Sequence, residues 1–168
     1  MKQRAQSLLF FLSAIVLGLL FFMPLTSYLD EYGSYYKLFV YGVNIISVAP
    51  GVELSFSSIY TLPLLVLTVA VILINFYIAM SIFKAVKLKQ FVTLFKISRI
   101  NIALLVVLIA TIFVYYLMKT GAPIAAAPSF LWPAWGAFLS LVSLVMMLLA
   151  SSGLRNDIKK VRSVDRLR

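Results

Sequence analysis

The sequence contains no cysteine and no histidine among its 168 residues, and only five carboxylates: Asp30, Glu31, Glu53, Asp157 and Asp165. Without Cys there is no disulfide, no thiolate metal ligand, no acylated lipoprotein cysteine and no thiol chemistry. Without His the commonest general base, proton shuttle and metal ligand is missing. No Gly-rich phosphate loop, zinc-type His/Glu pattern or nucleophile elbow occurs, and the serines have no His to activate them. We therefore expect no catalytic residue, no cofactor and no metal, and read the chain as a non-enzyme. Charge is scarce altogether: Asp, Glu, Lys and Arg make up 12% of the chain, against about 25% in soluble domains.

What is abundant is apolar surface. Hydrophobic residues make up 63% of the sequence and the mean hydropathy is +1.05. This excludes an ordinary water-soluble globule and, with aromatic and aliphatic residues dominating, a disordered chain. A single integral membrane domain over 1–168 is expected at this length.

A hydrocarbon core of about 30 Å takes roughly 20 apolar helical residues. Four segments meet that length, at about 7–28, 59–83, 98–117 and 130–150, each with a charge-free apolar stretch. The first has an alternative as a signal peptide, because Lys2 and Arg4 precede it. The run continues through Phe22 and Met23 without a convincing small-x-small cleavage site, so we read an uncleaved helix.

Basic residues set the expected direction. Thirteen of the fifteen Lys and Arg residues fall before span one, between spans two and three, or after span four. They are Lys2, Arg4, Lys84, Lys87, Lys89, Lys96, Arg99, Arg155, Lys159, Lys160, Arg162, Arg166 and Arg168; Lys37 and Lys119 are the exceptions. Cytoplasmic loops retain Lys and Arg, so both termini are expected in the cytoplasm of a bacterial inner membrane protein. Tyr28, Tyr60, Tyr115, Tyr116, Trp132 and Trp135 then fall near the outer interface, where amphipathic rings are favoured.

The outer loop, 29–58, is too polar to span and too apolar for a free linker. The β-branched and aromatic run 36–48, the Pro50-Gly51 turn signal and the alternation over 52–56 predict a small β-hairpin. The alternative is an irregular loop lying on the membrane. Segment 84–97 is a basic cytoplasmic turn with helical apolar spacing, from which span three is expected to start early, near Lys87. The tail, 154–168, places Leu154, Ile158, Val161 and Val164 on one helical face with basic residues opposite, after a break at Gly153. Its basic residues, with those of the turn, are candidate contacts for anionic lipid, RNA or an acidic face of a cytosolic protein.

The apolar stretches of the spans hold no Asp, Glu, Lys or Arg, which argues against a proton-coupled transporter, a pump and a voltage sensor. Their most demanding polar residues are Asn75 and Asn101, in the cytoplasmic halves of adjacent spans, where an interhelical hydrogen bond is possible. These two are candidates for helix–helix contact or for a ligand site. Ala14/Gly18 and Gly136/Ser140 are small-x-x-x-small pairs that permit close helix approach.

The stretch 1–6 leading straight into a span, the ending 160–168, the central Lys87-Leu88-Lys89-Gln90 and Asn101 together resemble an uncharacterised family. Its members are four-span inner-membrane proteins found mainly in Bacteroidota. The resemblance implies a compartment and a topology, and no activity. Taken together, the expected fold is all-α, an up-down-up-down bundle of four transmembrane helices with a β-hairpin in the outer loop. The expected role is an accessory or scaffold subunit of an inner-membrane complex, meeting partners through apolar helix faces and the basic tail. The alternative is a small homo-oligomeric transporter or lipid-handling protein with a site near Asn75 and Asn101.

Overall fold

A computed structural model describes residues 2–30, 35–47, 61–85, 88–117, 128–133 and 135–165. Four helices, α1 (Lys2–Gly18), α2 (Leu62–Lys84), α3 (Leu88–Leu117) and α4 (Trp135–Asp165), pack around one another. Four strands, β1 (Thr26–Asp30), β2 (Tyr35–Phe39), β3 (Gly42–Ser47) and β4 (Pro128–Pro133), form an antiparallel sheet in the order β3-β2-β1-β4. Helix α1 contacts α2 and α4, and α3 contacts the same two, so the helices close a ring.

Leu62–Lys84, Leu88–Val114 and Trp135–Lys160 are long and apolar enough to cross a membrane, consistent with a membrane protein. Both α3, with 30 residues, and α4, with 31, exceed the roughly 20 that a bilayer core requires, so their basic ends extend beyond it. The first helix is shorter than the expected 7–28. Its apolar part is Ala5–Phe21, ending in a 3₁₀ turn over Leu19–Phe21. The reason is Pro24, which has no N–H to continue the ladder and biases the residue before it away from helix. Beyond it Thr26, Ser27 and Tyr28 pair in β1 instead of extending the span. The fourth helix likewise starts at Trp135, after Pro133, because the stretch from Pro128 pairs with β1.

The hairpin also differs from expectation. The run 36–48 does not form one strand; it folds back at Val40-Tyr41, with Phe39 opposite Gly42. This register turns Leu38 and Val40 inward, each 1% exposed, while Lys37 lies over the Tyr35 ring on the other face at 5.6 Å. The expected Pro50-Gly51 turn and the strand 52–56 lie outside the described residues.

Buried positions recur three and four residues apart along every helix. In α2 they include Leu64, Thr68, Val71, Asn75, Ile78 and Ile82; in α3 Phe91, Leu94, Ser98, Asn101, Leu105, Leu108 and Ile112. In α4 Gly136, Ser140, Ser143, Met147, Ala150, Leu154 and Asp157 repeat the pattern. This is the seam of closely packed helices. It continues without a break through Gly153, where the tail was expected to separate. A Cβ at Gly153 would come within 3.0 Å of the Gln6 side chain, so that glycine lets α1 lie close against α4.

Gly136 makes the tighter approach. Its N–H donates to the Pro24 carbonyl at 3.2 Å, and a Cβ there would lie 2.5 Å from that same oxygen. Gly18, by contrast, has open space around it. Gly136→Ala is expected to lower stability by about 1–3 kcal/mol through overpacking against backbone. Gly18→Ala should leave stability unchanged or raise it by up to about 1 kcal/mol. Thermal unfolding of the two variants in the same detergent makes the comparison.

Candidate functional site

Helix association in hydrocarbon gains little from apolar contact, because lipid tails are as apolar as leucine, so packing and hydrogen bonds must hold a bundle together. The serine and asparagine side chains on the buried seams supply those bonds. At the centre, Asn101 Nδ2 donates to Asn75 Oδ1 at 2.8 Å, tying α3 to α2. Asn75 Nδ2 in turn donates to Ser13 Oγ at 3.2 Å and faces Met147 Sδ at 3.5 Å, reaching α1 and α4. The Ser13 and Ser143 hydroxyls lie 2.6 Å apart and join α1 to α4. Asn75, Asn101, Ser13 and Ser143 are all fully buried.

Towards the end bearing the basic residues the same logic repeats. Ser7 Oγ donates to the Ala79 carbonyl at 2.6 Å, and the Ser98 and Ser151 hydroxyls approach to 3.2 Å. Gln6 Nε2 donates to Asp157 Oδ2 at 2.8 Å, with Asp157 8% exposed. Each neighbouring helix pair is thus tied by at least one hydrogen bond. Exposed hydroxyls act differently: Thr93 and Ser152 bond carbonyls of their own helices.

Two buried oxygens, Asn101 Oδ1 and Gln6 Oε1, have no hydrogen-bond partner among the described residues. Each such group costs about 1–3 kcal/mol relative to a satisfied one. The central layer consists of amides, hydroxyls and a thioether, so nothing in it exchanges a proton near neutral pH. Its chemistry is hydrogen bonding between helices.

The expected basic contacts lie elsewhere. Lys84 and Lys89 line a cavity of about 520 Å³ between α2 and α3, beside Tyr77 and Ser81. Arg99 and Arg155 line another, of about 630 Å³, between α3 and α4. Lys96, Lys159, Lys160 and Arg162 are exposed on the outer turns of α3 and α4. Lys87, Arg166 and Arg168 lie outside the described residues. A third cavity, about 580 Å³ and almost wholly apolar, sits under Thr26 and Leu38 of the sheet and Leu25 just before it. Neither Asn75 nor Asn101 lines any of these three.

Residue type marks Ser13 and Ser143 as polar groups within the spans but ranks the two asparagines above them, and it does not point to Met147 or to the Gln6–Asp157 pair. The usable signal was spacing. Thr68/Asn75, Ser98/Asn101 and Ser140/Ser143 stand seven or three residues apart, the interval of a shared helix face.

These features define a helical protein with membrane-spanning segments, closed by internal polar ties and carrying a small sheet. The chain belongs to the family described as a domain of unknown function (DUF4293), which it matches over residues 2–167. Comparison with curated proteins finds no match.

The network makes a quantitative prediction. Asn75→Leu removes three contacts and leaves Asn101 without its partner, so it should cost about 1–2 kcal/mol. Asn101→Leu should cost less, because it also removes the unpartnered Oδ1. The double variant should cost less than the sum, with a coupling of roughly 0.6–2 kcal/mol. A double-mutant cycle of unfolding in detergent micelles reads these values; strictly additive losses would refute the tie.

Proposed function

We propose that the protein is a non-enzymatic accessory or scaffold subunit of a larger complex in the bacterial inner membrane. The observation that carries this reading is the division of labour among side chains. Buried asparagines and serines of the spans bond across helices inside the bundle, while the outward faces present large apolar residues. Leu73, Phe76, Tyr77, Met80 and Phe83 make such a face on α2, and Phe11 of α1 extends it, its ring 6.0 Å from that of Phe76.

The proposed topology is up-down-up-down, with α1 crossing beside the three longer helices and both termini cytoplasmic. It is supported by opposed contact pairs: Gln6 meets Asp157, Ser13 meets Ser143 and Pro24 meets Gly136, while Ser7 meets Ala79 and Ser13 meets Asn75. The distribution of thirteen basic residues supports the orientation. The exposed cations at the end of α4 would dock a cytosolic protein, or RNA, at the membrane surface.

The rival reading is a small homo-oligomeric transporter or lipid-handling protein using Asn75 and Asn101. The unpartnered Oδ1 of Asn101 favours it, since a polar ligand would satisfy that oxygen. Against it, the two asparagines bond each other and line none of the cavities described.

Mild purification of the tagged chain at native expression, with mass spectrometry of what accompanies it, separates the two. The accessory reading predicts a stoichiometric companion that crosslinks from a photoreactive residue at Phe76. It further predicts that Lys159→Gln, Lys160→Gln and Arg162→Gln together reduce cytosolic companions while leaving the membrane companion in place. A clean homo-oligomer with no other subunit would contradict it.

A further inference from the structure

We propose that the furrow between α3 and α4 is a binding site for one anionic phospholipid, its phosphate held by Arg99 and Arg155 and an acyl chain lying along the seam. The inference goes beyond the accessory reading and rests only on α3 and α4 crossing a membrane.

Three observations converge on this furrow. The first is charge. Arg99 and Arg155 come from different helices yet line one cavity of about 630 Å³, and both are exposed. Among the described residues neither guanidinium has an ion-pair partner; the carboxylate of Asp157, two residues on from Arg155 and buried where Arg155 is exposed, accepts from Gln6 instead. Two guanidinium forks facing one space suit a phosphodiester, which takes parallel N–H···O bonds.

The second is depth. Arg99 is the last charged residue before the uncharged stretch of α3, and Arg155 the first after that of α4. Both therefore sit at the boundary where headgroups meet hydrocarbon, below the level at which a soluble protein would dock. The other basic residues of α4, Lys159, Lys160 and Arg162, lie a turn or more further out.

The third is shape. Ala103 leaves the furrow open, and its apolar side, with Leu148, begins directly beneath the two cations. Further along the same seam lies the apolar cavity of about 580 Å³ lined by Val106 and Phe138. From Ala103 to its far end at Phe113 the helix rises about 15 Å, half the thickness of the hydrocarbon core. A free phosphate has no use for that apolar track, and a zwitterionic lipid carries a cation of its own towards the arginines. An anionic phospholipid satisfies both halves of the site.

The test uses the full chain in mild detergent and native mass spectrometry, with phosphatidylglycerol and phosphatidylcholine of identical acyl chains as probes. Phosphatidylglycerol should be retained preferentially, at one molecule per chain. Arg99→Gln and Arg155→Gln should each weaken retention roughly fivefold, and the pair roughly twentyfold. Lys159→Gln with Lys160→Gln should change it less than twofold. Ala103→Trp, which keeps both cations and fills the furrow at an exposed position, should also weaken retention, and inorganic phosphate should not displace the lipid. Equal losses from the arginine and lysine variants would mean diffuse surface charge and overturn the proposal. Unchanged retention in Ala103→Trp, or displacement by inorganic phosphate, would overturn it as well, by reducing the site to a free-anion site.

Discussion

A polar group inside hydrocarbon has no water to fall back on, so each one must find a partner within the protein. The rest of this structure depends on that constraint. Asn75 is the residue where it acts most strongly, because an amide has two donors and a carbonyl to place. Its neighbours come from all three other helices: Asn101, Ser13 and the Met147 sulfur. Once those contacts are made, the rotation of each helix about its axis is set. The seam positions above and below then follow at intervals of three and four residues. Ser7, Ser98 and Ser151 bond at one level, and Leu17, Leu105 and Leu108 pack at others.

Helix α1 shows what this arrangement achieves. Its apolar part covers 17 residues, near the lower limit for a span at about 25 Å. Length alone would leave its place in the bundle in doubt. Ser7 and Ser13 bind it to α2 and α4, and Gln6 reaches Asp157 near the end of α4. At its other end Pro24 breaks the helix and presents the carbonyl that receives Gly136. The chain then enters the sheet, and the Leu25 N–H donates to the Leu38 carbonyl at 2.7 Å. Thr26 and Leu38 lie above the apolar cavity between α3 and α4, so the sheet closes the end of the bundle opposite the basic residues.

Long apolar runs without charge were easy to read as helices, since no other structure satisfies its backbone in lipid without closing a barrel. The run through 62–84 and those ending α3 and beginning α4 needed no finer signal. The edges were harder. Pro24 and Pro133 carried enough information to stop a helix, but their apolar neighbours Phe22, Met23, Leu131 and Trp132 extended the runs past them. The β1–β4 pairing joins segments about a hundred residues apart, and nothing local announces it. The turn at Val40-Tyr41 has only Gly42, at its fourth position, to mark it, a weaker local signal than Pro50-Gly51; the fold-back buries Leu38 and Val40. At the polar layer, asparagines stood out because they are rare in spans. The serines did not, because a serine can satisfy itself on its own helix, as Ser140 does with the Ala137 carbonyl. Which of them face a neighbour depends on the phase of the seam, and that is visible only when several are aligned together.

We propose that α1 crosses the membrane beside the other three helices, with the sheet on one side and the basic ends of the chain on the other. Because the natural sequence has no cysteine, single cysteines can report their side without background. Cysteines placed at Ala5, Lys89 and Arg162, all exposed, should react with a membrane-impermeant maleimide only from the cytoplasmic side, and one at Tyr41 only from the outside. Labelling of Ala5 and Tyr41 from the same side would contradict the account.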